Sequence, residues 1–265
     1  MYKKYLIVAS KKDKAGINIT TALSQFGDFK FHLIETDIVD DKGLDMDKIN
    51  EYDFVIFASK HASEKGIKSL SVHAPGNFRN ADYGGKPNKV CKSSALFQKQ
   101  LFETLVSVAE EHNLQDYEIT LECTHHGPLI SKPCVFIEVG SSEMEWNDRQ
   151  AAFIVAKTIS KTIQEFKENP YREVVIGIGG PHYCPNFNKL QLKSNYALSH
   201  IIPEYCLPLT DEMIKEAVEK TEEEIDLALL DWKGMGNEEE RKRILKILDD
   251  NYIRYKKTSE ASREI

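Results

Sequence analysis

The chain has 265 residues, of which 41% are hydrophobic and 29% charged, and its formal net charge is −7. That length buries a full core, and no stretch approaches the roughly 20 apolar residues of a membrane-spanning helix. The five cysteines are scattered without CxxC spacing, so neither a disulfide framework nor a zinc ribbon is indicated.

The amino end, "MYKKYLIVAS", has the basic start of a secretory signal. Its apolar run Tyr5–Ala9 is too short and leads straight into "KKDKAG", which predicts a first strand in a cytoplasmic chain with reduced thiols. Short runs rich in Ile, Val, Phe and Tyr predict strands over 3–10, 29–36, 52–59, 69–74, 117–123, 134–140 and 173–180. Helical spacing of apolar residues predicts helices over 94–112, with Ser93 or Ser94 as N-cap, and over 147–168. After Asp211 the pattern reads as two helices separated by "KGMGN", then a frayed tail from Lys257. The alternation implies one α/β domain over 1–265, three layers around a mostly parallel or mixed sheet, with 211–256 as a helical C-terminal extension.

Charge is unevenly placed. Residues 211–231 hold nine acidic and two basic side chains, whereas residues 60–99 hold eight basic against two acidic, Arg79, Lys86 and Lys89 among the former. The basic segment offers a docking place for an anionic partner, or is simply a solvated lysine-rich loop.

Four clusters follow strands: "SVHAPGN" (71–77), "ECTHHGP" (122–128), "EVGSSEMEW" (138–146) and "GGPHYCP" (179–185). Ligands of open α/β sheets gather at the carboxyl ends of the strands, so the expectation is one cleft holding His73, Glu122, Thr124, His125, His126, Glu138 and His182. Imidazole and carboxylate together suit zinc, and they equally suit metal-free acid/base work. His125 and His126 point to opposite faces of an extended backbone, so only a turn lets both serve one centre.

"GIGG" (177–180) is not a dinucleotide fingerprint and "GSS" (140–142) lacks the lysine of a P-loop, so no nucleotide cofactor is expected. Gly140, Ser141 and Ser142 precede a helix and either present N–H groups to an oxyanion or form an N-cap. No GxSxG elbow supports a serine nucleophile.

In this order, "SVHAPGN", "ECTHHGP", "EVGSSEMEW" and "GIGGPHY" resemble the D-aminoacyl-tRNA deacylase family of archaea and plants, over most of the chain. One local difference is Pro181 and Cys184 around His182-Tyr183. The resemblance implies a fold similar to the phosphorylase/hydrolase-like proteins that include peptidyl-tRNA hydrolase. It implies zinc dependence, with His73, Glu122, His125, His126 and His182 as candidate ligands, and hydrolysis of the ester joining a D-amino acid to tRNA. Ser71, Ala74, Pro75, Gly76, Asn77, Gly179, Gly180 and Tyr183, with the Gly140 loop and the three basic residues, are then expected to bind substrate. The close backbone of Ala74-Pro75-Gly76 and Gly179-Gly180-Pro181 is expected to exclude the L-form sterically. A zinc peptidase or amidohydrolase leaves the basic segment unexplained, and a non-catalytic tRNA-binding module leaves the histidines unexplained. A monomer or small homo-oligomer is expected.

Overall fold

A computed structural model describes residues 2–264. The strands are β1 (Tyr5–Ser10), β2 (Lys30–Ile34), β3 (Phe54–Ala62), β4 (Ser69–His73), β5 (Gly76–Asn77), β6 (Lys89–Val90), β7 (Glu118–Leu121), β8 (Cys134–Ser141), β9 (Glu173–Ile178), β10 (Tyr196–Ile202), β11 (Leu227–Leu230) and β12 (Tyr255–Lys257). The helices are α1 (Lys14–Leu23), α2 (Met46–Asn50), α3 (Ala95–Glu111), α4 (Glu143–Trp146), α5 (Arg149–Glu165), α6 (Pro185–Lys193), α7 (Asp211–Glu219), α8 (Glu238–Asp250) and α9 (Thr258–Ala261). None is long and apolar enough to cross a membrane.

Two sheets carry the architecture, which is mixed α/β with helices packed on mostly parallel strands. The larger runs β2-β1-β3-β8-β4-β7, with β4 and β7 antiparallel to β8, and the smaller runs β10-β9-β11-β12, parallel throughout. Period-two alternation sorts the larger sheet. Ile7, Ile56, Ala58, Leu70, Val72, Val135 and Ile137 face the core shared with α1, α3 and α5. Leu6, Val8, Val55, Phe57, Cys134 and Phe136 face the opposite side, and on that second face Ser59, Glu138 and Ser71 lie in register.

Helix α3 packs against both sheets. Its Ser94 N-cap accepts from Phe97 N at 3.1 Å, as the sequence suggested. Gln98 Nε2 donates to the carbonyls of Leu198 and Ser199, both at 3.1 Å, at the register shift in β10.

Several elements differ from expectation, and strand β10 and helix α6 were not expected at all. Leu227–Leu230, read as helix, is the buried strand β11, because a strand covered on both faces is a continuous apolar run that periodicity cannot tell from a helix. The region 211–256 is therefore not purely helical, and β12 with α9 occupies the start of the expected frayed tail. Helix α1 escaped notice because Gly16, Asn18, Thr20 and Thr21 are weak helix formers. Gly16 is required there, since a Cβ would lie 2.6 Å from the Ala58 carbonyl oxygen.

Candidate active site

The segment after β7 stitches the sheets together. Glu122 N donates to Val72 O of β4 at 3.1 Å, Cys123 N to His182 O at 2.9 Å, and Thr124 N to Ile201 O of β10 at 2.9 Å. His126 then adopts a left-handed φ of 44°, a conformation that histidine tolerates better than most residues. That turn resolves the adjacency problem, for the His125 and His126 rings lie with centroids 4.3 Å apart and each is within 5 Å of His73.

The site lies on a sheet face rather than along a row of parallel carboxyl ends. Because β4 runs against β8, its terminal His73 pairs with Phe136, and Glu138 sits inside β8 beside Ser59 and Ser71. His61, two residues beyond Ser59, projects from the same face by the same alternation.

Two buried carboxylates organise five histidines. Glu122 lies 3.1 Å from His61 Nδ1, 3.3 Å from His125 Nε2 and 3.0 Å from His182 Nε2. Glu138 accepts from Ser59 Oγ at 2.7 Å and lies 3.5 Å from His61 Nδ1, 3.8 Å from His73 Nε2 and 3.9 Å from His126 Nε2. Tyr183 OH is 2.8 Å from His61 Nε2.

Backbone carbonyls fix the tautomers of two rings. His125 Nδ1 donates to Cys123 O at 2.8 Å and His126 Nδ1 to Gly127 O at 2.6 Å, which leaves both Nε2 lone pairs facing the carboxylates. Burial, reinforced by neighbouring His73, pushes His125 well below the usual histidine range and His126 down to about 4. Burial opposes charge on His61 and His182 as well, but their partners prevail. Glu122 and Glu138 raise His61 to about 11, and Cys123 with Glu122 raises His182 to about 10. Burial likewise disfavours ionised Glu122 and Glu138, and their histidine partners overcome it and hold both well below the usual carboxylate range.

Several residues expected in the chemistry have other work. Thr124 Oγ1 accepts from Ile201 N at 3.1 Å and contacts His200 Nδ1 at 3.2 Å, so it ties the loop to β10. Ser142 caps α4, with its N–H donated to Glu145, and Gly140 is packed so that a Cβ would lie 2.7 Å from Ser69 Oγ. Gly179 N donates to Ile202 O at 2.8 Å. Gly76 pairs with Val90 in the β5–β6 ribbon, and a Cβ there would meet Val90 Cα at 2.3 Å. The glycines at 76 and 179 thus serve the fold's own close contacts. Asn77 Nδ2 holds Gly84 O at 2.9 Å. Arg79 donates to the carbonyls of Cys206 and Pro208, and Lys89 pairs with Glu216 at 2.8 Å, which leaves exposed Lys86 as the one of these three cations without a partner among the described residues. His61 was not singled out from sequence. Its signal was the alternation Phe57, Ser59, His61 at the end of a strand.

A cleft of about 550 Å³ opens onto the cluster, lined by Ser59, His61, Glu138, His125, His126 and His182 and also by Ser10, Lys12, Asp13, Asp37, Lys60 and Tyr83. Its inner end has the makings of a metal centre. Among the described residues, the groups His73/His125/His126, Cys123/His125/His182, His61/Glu122/His182 and His73/Glu122/Glu138 each bring their donor atoms within 4.8 Å of one another. His73 Nε2 is buried without a hydrogen-bond partner. Such an atom is costly to leave bare, and a cation satisfies it; the Nδ1–H anchors on backbone carbonyls are the outer contacts that orient histidine ligands.

Known proteins share the sequence and fold of this chain. The family model described as D-aminoacyl-tRNA deacylase matches residues 48–256. A D-aminoacyl-tRNA deacylase of Methanocaldococcus jannaschii is 33% identical over 262 residues, spanning 96% of this chain and 99% of its own. One of Thermococcus onnurineus is 40% identical over 187 residues, 70% of this chain and 67% of its own. A crystal structure of a conserved protein of unknown function superposes with a TM-score of 0.88 at 29% identity, over 98% of this chain and 97% of the other. A match to the family model over most of the chain, near-full-length relatives and a shared fold place this chain in the D-aminoacyl-tRNA deacylase family.

Proposed function

We propose that the chain hydrolyses the ester of D-aminoacyl-tRNA, releasing the D-amino acid and tRNA, at the Glu122/Glu138 cluster. Beyond family membership, the observation that carries this reading is the convergence of two buried carboxylates and five histidines at the inner end of an open cleft. Nitrogen, oxygen and sulfur donors in this set suit zinc, with His73, His125, His126 and Glu122 as holders and Cys123 and His182 beside them. Bound zinc supplies acidification of water and polarisation of a carbonyl.

The chain's own groups divide the remaining work. Glu138 lines the cleft and is ionised, so it is placed to accept a proton from the attacking water. His61 and His182 line the cleft, where positive charge favoured by their carboxylate partners offsets the negative charge that develops on the ester oxygen. Tyr183 OH, 2.8 Å from His61 Nε2, holds that ring in place. Glu122 is sealed behind the histidines and orients them.

The test is release of amino acid from D-aminoacyl-tRNA by the parent protein and by Glu138→Gln. Parent activity with a deep loss in the variant supports the assignment; equal rates remove Glu138 from the chemistry.

A further inference from the structure

The outer part of the cleft contains side chains that the hydrolytic step does not use. Tyr83 is 74% exposed, yet its backbone is tied to the histidine loop. Its carbonyl accepts from Gly127 N of the histidine loop at 2.8 Å. The glycines that follow it are packed so tightly that a Cβ on Gly84 would lie 1.7 Å from Val39 O, and one on Gly85 2.8 Å from Asn77 Nδ2. A large ring presented to solvent from a backbone hydrogen-bonded to the histidine loop and followed by closely packed glycines, beside the reacting groups, offers a stacking face. Lys12, on the loop after β1, lines the same cleft, and its ammonium has no partner among the described residues. Asp37, on the loop after β2, also lines the cleft with no partner for its carboxylate among the described residues.

These three side chains differ chemically in a way that matches one nucleotide. An aromatic face takes a base, since every base has a π surface; a carboxylate accepts from ribose hydroxyls; a free ammonium takes a phosphate. A volume of about 550 Å³ falls within the roughly 300–1,000 Å³ of pockets that enclose a single small ligand. It has room for the terminal unit of an RNA, not for a run of bases. From this we infer that Tyr83, Lys12 and Asp37 form the subsite for the 3′-terminal adenosine monophosphate unit of the substrate: the base on the Tyr83 ring, the phosphate at Lys12. The inference rests on the proposed reaction, and it assigns the anchoring of the ester to one nucleotide beside the Glu138 cluster rather than to the basic residues of the 76–90 loop.

The experiment uses the full-length chain and titrates adenosine and adenosine 5′-monophosphate calorimetrically into the parent, Tyr83→Ala, Tyr83→Phe and Lys12→Ala. D-aminoacyl-tRNA turnover is measured in parallel. Tyr83→Ala is expected to weaken both ligands about 5- to 150-fold, the range of one lost base stack, and to raise KM while sparing kcat. Tyr83→Phe keeps the ring and restores binding, an outcome that a merely structural tyrosine hydroxyl does not give. Lys12→Ala weakens the monophosphate and spares adenosine. A parent that binds neither ligand while cleaving D-aminoacyl-tRNA, or a Tyr83→Ala protein that binds both as the parent does, overturns the subsite and leaves the reaction standing. A parent that binds adenosine monophosphate through Tyr83 but releases no amino acid overturns the reaction instead.

Discussion

Replacing Thr124 with valine separates two roles for a residue in the middle of the "ECTHHGP" motif. The swap keeps the shape and removes the hydroxyl. Thr124 is 3% exposed, and its oxygen accepts from Ile201 N and contacts His200 Nδ1. Stranding one buried N–H costs about 1–3 kcal/mol, and the lost His200 contact adds about 1 kcal/mol. The expected destabilisation is therefore about 2–4 kcal/mol, which at roughly 2–4 °C per kcal/mol lowers the melting midpoint by roughly 4–16 °C. Thermal and urea unfolding of the parent, Thr124→Val and Thr124→Ser measure this directly. Serine retains the hydroxyl and is expected to recover most of the loss. Turnover of Thr124→Val well below its midpoint should persist, because the hydroxyl points into β10 and not into the cleft. A Thr124→Val protein as stable as the parent but catalytically dead would refute the tethering role.

Three further outcomes follow from the same structure. His125→Ala with His126→Ala should weaken zinc affinity by more than the roughly 10–100-fold that loss of an outer contact costs, read by zinc titration and as zinc lost from the purified protein; unchanged zinc would place the ion elsewhere. Arg79→Ala should destabilise the fold without altering the salt dependence of tRNA binding, because its guanidinium holds Cys206 and Pro208. Lys86→Ala should instead flatten the logarithmic salt slope by roughly 0.7–0.9, and the reverse pattern would contradict the assignment. Lys99, 1% exposed and donating to the carbonyls of Gln191 and Ser194, is pushed down by burial to about 8. The unfolded chain binds that proton more tightly, so the contribution of Lys99 to stability should rise between about pH 8 and 10.4, by at most about 3 kcal/mol. The buried thiols of Cys134, Cys184 and Cys206, raised by burial, act in the opposite sense, so the measurement is urea unfolding of parent and Lys99→Met at both ends of that window, with the parent gaining on the variant as pH rises.

Much of the site was legible in the sequence because its residues sit in runs that chemistry marks out. Glu122, His125 and His126 share seven residues with a glycine and a proline, and His73 and His182 stand at strand exits. What the sequence could not convey was strand direction. With β4 and β7 reversed, the site occupies a sheet face, and so it recruits His61 and Ser59 from β3, residues that no glycine or proline flags. Charge misled in the same way. Arg79 and Lys89 belong to a basic stretch of sequence, but the fold turns each onto its own carbonyl or carboxylate partner. The glycines at 76 and 179 satisfied the pattern expected of a ligand cradle, yet their contacts lie within the fold, at Val90 and Asp231. Strand β11 was hidden because Leu and Ala suit both structures and only burial on two faces decides between them.

The most direct measurement of the central claim is a matched assay in which D-tyrosyl-tRNA and L-tyrosyl-tRNA are incubated with the purified chain before and after exhaustive chelation. The account predicts rapid release of D-tyrosine, little release of L-tyrosine, loss of activity with the chelator and recovery on adding zinc. Comparable cleavage of both esters would contradict a D-specific deacylase, and full D-tyrosyl activity in zinc-free protein would contradict a metal held by His73, His125, His126 and Glu122.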